Sequence, residues 1–420
     1  MEIAIIGAGI CGLTAGLYLS QRNQKVTVFE KEKFAGGLAA SYQYKNWNWP
    51  LEYFPHHLFT SDHEACKLIG ELKLNDRLFF VRPKTSIYLR ERLFQFDSPF
   101  SILKAPIFSW TEKARIGSST FHLKATSSWQ KLEKQTAFTW TERYYGKRVS
   151  ELLWQPLLKS KFGCDASKIS MSWLWARIKK RSIKLGYLRG GFNILLNELI
   201  NHIKSNGGRV ILNTEVTSLD NIARNFDKVI VTCPTDIFLK ITNDLPNNYR
   251  RALKKLHLVG ALNLLLILKK SFLRDGSYWL NINEREFPFV FVDEHTNFIG
   301  TQFYGNHRLL YVGGYYPQNH RYFKMEKKLI LKEFLPFLKR INPEFKFDTD
   351  IIDIICHKSL CAQPVVSVNY AEMIPDHVTP IPNVYLANLQ QIYPWDRGLN
   401  YSIELGRKIA GLVLKENKES

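Results

Sequence analysis

Gly7-Ala8-Gly9-Ile10-Cys11-Gly12 is a glycine-rich turn that directly follows an apolar strand predicted at residues 3–6. In this pattern Gly7 permits the tight turn, Gly9 lets the backbone approach a pyrophosphate, and Gly12 lets the next helix pack on the strand. Phosphate then lies at the helix N-terminus. Glu30 ends the second predicted strand, where a carboxylate accepts hydrogen bonds from ribose hydroxyls. The stretch predicts dinucleotide binding and leaves NAD and FAD open.

A second flexible stretch, Gly36-Gly37-Leu38-Ala39-Ala40-Ser41, follows shortly after Glu30. Its flexibility lets the backbone cross the far side of a pyrophosphate. The combination resembles the superfamily of amine oxidases, protoporphyrinogen oxidases and phytoene desaturases, and the resemblance covers nearly the whole chain. It implies noncovalent FAD in an extended form. The cofactor-binding residues implied in this region are Lys31, Gly36, Gly37 and Leu38.

The resemblance extends to two later stretches. Residues 190–216 are similar to the segment that returns to the FAD domain, which implies that the backbone of Val216 contacts adenine. Cys233 lies in the strand and turn that pass beside the dinucleotide. The superfamily usually has Gly-Asp where this chain has Ala387-Asn388, so an amide is expected to replace an acidic cofactor contact.

The closing motif Tyr393-Pro394-Trp395-Asp396-Arg397-Gly398-Leu399-Asn400-Tyr401 also resembles the superfamily. A helix that begins near Asn400 would direct its positive end at the flavin C2 carbonyl, where negative charge accumulates on reduction. Gly398 permits the close approach of the backbone to the flavin. Leu399 is expected to contact the flavin as well. Arg397 either balances charge near the flavin or forms a surface salt bridge with Asp396.

The predicted fold class is α/β, with a glutathione-reductase-like (Rossmann-type) FAD-binding domain and an inserted α+β substrate domain. The FAD-binding domain is discontinuous and is predicted at residues 1–55, 186–240 and 360–420. Residues 56–185 and 241–359 form the predicted substrate domain. The apolar run Leu258–Leu268 is about half the ~20 residues that cross a bilayer, so we expect a buried strand.

Composition narrows the partners of the chain. It has 420 residues with a formal charge of +20, which favours an anionic partner. Basic residues occur as dispersed clusters, such as Lys179-Lys180-Arg181, and are interpreted mainly as solvated surface. Without a binding motif, nucleic acid is disfavoured. The cysteines are scattered and the N-terminal residues lack signal-peptide features, which favours a cytoplasmic location. The oligomeric state stays open.

A peripheral contact with an anionic membrane is the alternative interpretation of the basic excess. It would hold the enzyme at the inner face of a membrane and suits a large, apolar small-molecule substrate. Phe108, Trp110 and Lys113 are expected to belong to such a face. A freely soluble enzyme with a basic surface is the competing interpretation.

Three histidines are the candidate catalytic residues. His56 and His57 lie in a loop that related enzymes bring to the flavin face, where imidazole can move a proton. This loop also resembles the histidine loop of UDP-galactopyranose mutase. His295 follows an apolar run and is expected on a pocket wall. The tryptophans expected to line that pocket are Trp154, Trp173, Trp175 and Trp279. No metal site is expected, because no set of ligands has the required spacing.

The predicted function is that of an FAD-dependent oxidoreductase of the oxidase or desaturase type, which passes hydride from a C–H or C–N bond to flavin N5. The alternative is a redox-neutral isomerase or transferase of the UDP-galactopyranose mutase kind, and a flavoprotein without turnover comes third. Tetrapyrroles, isoprenoids, amines and sugar derivatives all remain open as substrates.

Overall fold

A computed structural model of the protein describes residues 1–415. Its strands are β1 (Glu2–Ile6), β2 (Lys25–Phe29), β3 (Ser41–Tyr42), β4 (Leu51–Glu52), β5 (Leu58–Phe59), β6 (Leu78–Val81), β7 (Lys84–Leu89), β8 (Arg92–Gln95), β9 (Leu185–Leu188), β10 (Arg209–Ile211), β11 (Lys228–Val231), β12 (Leu258–Leu268), β13 (Ser277–Ile282), β14 (Phe291–Glu294), β15 (Arg308–Tyr316), β16 (Ile351–Pro364) and β17 (Val384–Leu386).

The α-helices are α1 (Ile10–Ser20), α2 (His63–Glu71), α3 (Pro99–Lys104), α4 (Trp110–Ala125), α5 (Gln130–Glu133), α6 (Ala137–Tyr145), α7 (Lys147–Val149), α8 (Gln155–Phe162), α9 (Met171–Lys180), α10 (Asn193–Ser205), α11 (Leu219–Ala223), α12 (Thr235–Ile241), α13 (Asn247–Leu253), α14 (Lys327–Ile341), α15 (Phe347–Asp350) and α16 (Leu399–Lys415).

The first sheet has the strand order β10-β2-β1-β11-β17, and every neighbouring pair is parallel. Its strands come from three stretches of chain that long insertions separate. Parallel neighbours need crossover connections, and the stretch from β1 through α1 to β2 is such a unit. The carboxyl end of β1 therefore runs directly into the glycine-rich turn, which is where open α/β sheets bind ligands.

Helix α1 packs between α10 and α16. Small residues make this close packing possible: a methyl group on Gly16 would lie 3.1 Å from the side chain of Ile203 in α10. A methyl group on Gly406 in α16 would lie 2.6 Å from the carbonyl oxygen of Cys11. The position of α16, and with it the closing motif, is therefore fixed by backbone contact with the helix that follows the glycine turn.

The second sheet has the order β16-β12-β15-β14-β13-β7-β8 and is antiparallel except where β13 pairs with β7. The predicted buried strand at residues 258–268 is confirmed as β12, the strand between β15 and β16. Leu264 and Leu266 pack with α14 on one face, while Leu265 and Ile267 join the core that contains α1 on the other. Alternation of side chains puts apolar residues on both faces, which explains why the whole run is apolar.

Helices α4 to α9 surround a third core, in which Trp140, Trp173 and Trp175 are at most 2% exposed. Phe108 also belongs to this core with 4% exposure, so its expected place on a membrane-facing surface is wrong. In residues 1–415 no helix is long and apolar enough to cross a bilayer. The division into two domains with the predicted boundaries stays a prediction.

Candidate cofactor and substrate site

The first glycine turn has the backbone geometry that its sequence predicts. Gly7 has a φ of +107°, and its amide donates to the carbonyl of Phe29 at 2.8 Å. A methyl group on Gly12 would lie 2.0 Å from the carbonyl oxygen of Gly7, so only glycine lets the helix start this close to the turn. A methyl group on Gly9 would instead meet no protein atom within 4 Å. The backbone is thus open on the side where a ligand would approach.

The second glycine stretch lies directly against the first. The amide of Gly36 donates to the carbonyl of Ala8 at 2.8 Å, and Gly36 pairs with Gly9 in an isolated parallel bridge. A methyl group on Gly37 would lie 3.5 Å from the Cα of Gly9. Gly36 has a φ of +115°, which a side chain would strain. Two flexible backbone segments therefore border one another beside the N-terminus of α1, followed by Leu38.

Glu30 is turned back onto the first turn. Its Oε2 accepts the amide of Ala8 at 2.8 Å, and its Oε1 accepts the amide of Glu32 at 3.0 Å. The amide of Thr214 donates to the backbone carbonyl of Glu30 at 2.8 Å, which brings the partly buried Val216 into the same region. Glu30 thus shapes the glycine turn and keeps lone pairs for ribose hydroxyls. Exposed Lys31 lies beside it, with its ammonium 3.6 Å from Glu32.

The side chain of Asn388 is only 1% exposed. Its Nδ2 donates to the carbonyl of Cys233 at 3.0 Å, and its Oδ1 accepts the amide of Gln390 at 3.0 Å. Both polar atoms hold the loop after β17 against the turn after β11, a link that a carboxylate could not make because it cannot donate. The amide of Asn388 thus has a structural task at this position. Burial raises the pKa of Cys233 to about 12, so its thiol is uncharged.

Helix α16 begins at Leu399, close to the predicted start near Asn400. Both residues are buried and line a cavity next to Gly398, where a methyl group would meet no atom within 4 Å. The Oδ1 of Asn400 accepts the amide of Ala65 at 3.0 Å, which fixes the helix start to α2. The positive end of a long helix therefore opens on the cavity.

Arg397 points toward Tyr315 rather than Asp396. Its Nη2 donates to the Tyr315 hydroxyl at 2.9 Å, and within residues 1–415 the structure shows no ion pair between Arg397 and Asp396. The predicted alternative, a surface salt bridge between these two, is therefore wrong. The buried Nε of Arg397 has no hydrogen-bond partner in the described residues. A buried, unpaired guanidinium N–H is unfavourable unless a ligand accepts from it.

These observations fit a dinucleotide with a flavin ring. The open backbone at Gly9 and the adjoining Gly36 and Gly37 suit a pyrophosphate, and the start of α16 suits an electron-rich ring carbonyl. The unpaired Nε of Arg397 supplies a further donor at the same end of the cavity. Groups of three or more residues that could hold a metal do not occur in the described part of the chain.

His56 and His57 both line this cavity. The Nδ1 of His56 is 2.6 Å from the carbonyl of Phe54, and the Nδ1 of His57 is 3.2 Å from the Tyr278 hydroxyl. Burial lowers the pKa of His56 to about 4. Burial, reinforced by the charge of Arg181, lowers the pKa of His57 to about 3. Both rings are therefore neutral at physiological pH.

His295 lies elsewhere. It is 2% exposed, its Nε2 is 2.9 Å from the Tyr304 hydroxyl, and it does not line the cavity. The expectation of a pocket-wall histidine is therefore wrong, because aromatic rings enclose it in the core. Of the four predicted tryptophans, Trp279 lines the cavity, and the other three pack in or against the helical core. These three are Trp154, Trp173 and Trp175.

The largest omission from the sequence-based site is a set of basic side chains. Lys180 and Arg181 line the cavity, although their basic triplet is interpreted above as solvated surface. Arg177 and Lys161 line it as well, beside Asp396. The clustering of cations at the end of one helix was the available signal, but sequence alone does not show which way that helix faces.

Comparisons with known proteins agree with this geometry. The family model described as "Flavin containing amine oxidoreductase" matches residues 10–413. A 15-cis-phytoene desaturase from Narcissus pseudonarcissus is 26% identical over 290 residues, which cover 60% of this chain and 50% of that protein. The chain thus spans about half the length of the curated relatives it matches.

Solved structures share the fold over nearly the whole chain. Cyclohexylamine oxidase from Brevibacterium oxydans IH-35A has a TM-score of 0.73 at 14% identity and covers 99% of both chains. Reduced UDP-galactopyranose mutase has a TM-score of 0.75 at 14% identity and covers 99% of this chain and 94% of that one. Identities this low establish fold alone. Because the family model spans nearly all of its length, the chain belongs to the flavin-containing amine oxidoreductase family.

Proposed function

We propose that the protein is an FAD-dependent oxidoreductase of the oxidase or desaturase type that removes hydride from a C–H bond of its substrate, including a C–H bond beside an amine nitrogen, and so oxidises a C–C or C–N bond. The supporting observation is the pairing of two glycine stretches at Gly9 and Gly36, together with a cavity that Leu38 and the start of α16 line. Bound FAD would accept the hydride at its N5 atom. The N-terminal end of α16 would stabilise the negative charge of the reduced ring.

The chain's own residues orient the substrate and exclude water. Trp279 and Phe291 stack with ring centroids 4.7 Å apart on one cavity wall. The ring of His57 forms a T-shaped pair with the ring of Trp279, and its Nδ1 contacts the hydroxyl of Tyr278. A neutral imidazole held between aromatic rings can accept a proton or position a substrate N–H or O–H group.

The redox-neutral alternative of the UDP-galactopyranose mutase kind rests on the histidine loop. It has a fold-level likeness to support it, but the family model and the phytoene desaturase relatives favour net oxidation. The substrate class is not specified by these relatives, since the chain matches only half of their length.

Cofactor binding is tested with Gly9→Asp. The Cβ of the new side chain would meet no protein atom within 4 Å, and its carboxylate would repel a pyrophosphate on the open side of the turn. We expect the variant to fold and to purify without a flavin absorbance spectrum. Gly411→Asp is the matched control, because a side chain there also meets no atom within 4 Å, on the outer side of α16. Unchanged flavin content in Gly9→Asp would overturn the assignment.

The reaction type is tested by redox balance. Amines, polyene isoprenoids, porphyrinogens and sugar nucleotides are added anaerobically to the oxidised flavoprotein. Bleaching of the flavin without turnover to an isomer supports net hydride transfer. Turnover that begins only after dithionite reduction, with no electrons consumed, would replace the proposal with the redox-neutral one.

A further inference from the structure

We infer that the cavity binds a substrate with a phosphate, diphosphate or carboxylate group, and that Arg177, Lys180 and Arg181 hold this oxyanion. The inference rests on the proposed function, because it assigns a substrate class to the same cavity. Neither an amine, which is cationic, nor a pure hydrocarbon would need these side chains.

The charges on the cavity wall are unbalanced. The cationic side chains are Arg177, Lys180, Arg181 and Arg397, joined by the buried amine of Lys161, and the carboxylates are Asp62 and Asp396. Burial and the nearby arginines lower the pKa of Lys161 well below its usual value. Even with Lys161 neutral, four cations face two carboxylates. A concave site lined by one sign of charge concentrates ligands of the opposite sign.

The two carboxylates are already engaged. Asp396 contacts Nη1 of Arg177 at 2.5 Å and accepts the indole N–H of Trp173 at 3.0 Å. Burial alone would raise the pKa of Asp396, but Lys161 and Arg177 hold it well below its usual range. Asp62 accepts the amide of Phe59 at 2.8 Å.

Lys180 and Arg181 keep their donors available. In the described residues neither side chain forms an ion pair, and the Lys180 ammonium lies 4.6 Å from the Trp395 ring centroid. The Arg181 side chain is exposed and lines the cavity. Desolvation by the neighbouring protein and the charge of Arg177 lower the pKa of Arg181 to about 10, so its charge persists at pH 7. Planar guanidinium groups bind oxyanions in a bidentate manner.

The position of this cluster relates it to the chemistry. Arg177 and Arg181 line the same cavity as His57 and Trp279, which places the cluster at the proposed reaction centre. An oxyanion held there would leave the adjoining part of the substrate between His57 and Trp279. The cluster would therefore orient the bond that loses hydride.

The test uses FAD-loaded protein, so that the pyrophosphate site of the glycine turns is filled. Inorganic pyrophosphate, phosphate and succinate are titrated at constant ionic strength, with the flavin absorbance change and isothermal calorimetry as readouts. We expect saturable binding of at least one of them, and its rank among the three distinguishes phosphoryl from carboxylate substrates. Arg181→Gln and Lys180→Gln should each weaken this binding about tenfold.

Lys184→Gln is the matched control, since it removes one exposed positive charge from the same segment without touching the cavity. Flavin content and Tm verify that each variant is folded. Absence of saturable binding by flavin-loaded protein, or equal weakening by Lys184→Gln, would overturn the oxyanion site while leaving the proposed function intact. Protein that fails to retain flavin would instead contradict the proposed function.

A second, independent feature is the outer face of α4. Trp110 and Phe121 are each 75% exposed. With Ala114, Gly117 and Ala125 they form an apolar stripe at helical spacing, directly opposite the buried side of the helix. A surface helix normally shows polar residues on this side.

Basic and apolar side chains of α3 extend this stripe. Phe100 is 64% and Leu103 50% exposed, and Lys113 Nζ donates to the carbonyl of Leu103 at 2.7 Å, which joins the two helices. The Lys104 ammonium lies 4.3 Å from the Phe100 ring centroid. We propose that this surface of α3 and α4 docks on an anionic lipid bilayer, because exposed aromatic rings flanked by lysines match a membrane interface.

Vesicles of phosphatidylcholine, with or without phosphatidylglycerol, test this docking by sedimentation at low and high salt. The protein should sediment with anionic vesicles only, and Trp110→Ser combined with Phe121→Ser should reduce the bound fraction more than about tenfold. Leu360→Ser, which changes another exposed apolar residue, should not. Three results would overturn membrane docking. They are an equal loss of vesicle binding in Leu360→Ser, failure of the protein to sediment with anionic vesicles, and a dimer in gel filtration that the double substitution converts to monomer.

Discussion

The Nδ1 of His57 lies 3.2 Å from the hydroxyl of Tyr278, a side chain that is fully buried on β13. Tyr278 is thus fixed by the sheet and in turn fixes the orientation of the imidazole. Because burial keeps the pKa of His57 at about 3, the ring is neutral and one nitrogen remains for the substrate. The sheet of the inserted segments and the histidine loop meet at this hydrogen bond.

Replacement of His57 by alanine should leave flavin bound and slow flavin reduction by about a hundredfold or more, because positioned proton transfer contributes on this order. Stopped-flow absorbance under anaerobic conditions measures the rate with the substrate found by the redox-balance screen. Exposed His122→Ala serves as the control. Equal rates for His57→Ala and wild type would remove His57 from the reaction.

In the wild-type protein, the rate of flavin reduction by substrate should depend little on pH between 5 and 7. An unperturbed histidine would become protonated in this interval and lose its ability to accept a proton. With burial and Arg181 lowering the pKa of His57 to about 3, the neutral form persists throughout. A rate that falls tenfold from pH 7 to pH 5, in protein that keeps its flavin, would contradict a buried neutral His57.

Glu52 is expected to be essential for stability. Its carboxylate is 1% exposed and accepts the Tyr187 hydroxyl at 2.7 Å and the amide of Phe192 at 2.8 Å. Glu52→Ala leaves both donors unsatisfied and should lower the free energy of unfolding by about 3 kcal/mol or more. Glu52→Gln keeps an acceptor and should cost about 1 kcal/mol. Urea unfolding compares the two, and equal losses would show that the acceptor is unimportant.

Local backbone signals made the first sheet predictable. The glycine turn, the first strand and the start of α16 depend on nearby residues, and the structure places β1 and the start of α16 within a residue of their predicted positions. His295 was misplaced because a polar residue after an apolar run looks the same whether its neighbours enclose it or face solvent. The basic cluster at Arg181 was missed because its meaning depends on contacts across the fold.

His295 supplies a pH-dependent term in stability. Burial lowers its pKa to about 3, below the value near 6.5 in the unfolded chain. Because the folded-state pKa is depressed, the neutral ring contributes stability that is complete above pH 6.5 and is lost as the pH falls toward 3. At pH 5 the loss in the free energy of unfolding should reach about 2 kcal/mol.

The variant His295→Gln tests this pH dependence, because it keeps a polar partner for the Tyr304 hydroxyl and does not titrate. Urea unfolding at pH 7.5 and pH 5 should therefore show a smaller decline for His295→Gln than for wild type, whereas exposed His122→Gln should decline as wild type does. Parallel declines for all three proteins would mean that His295 is protonated in the folded protein.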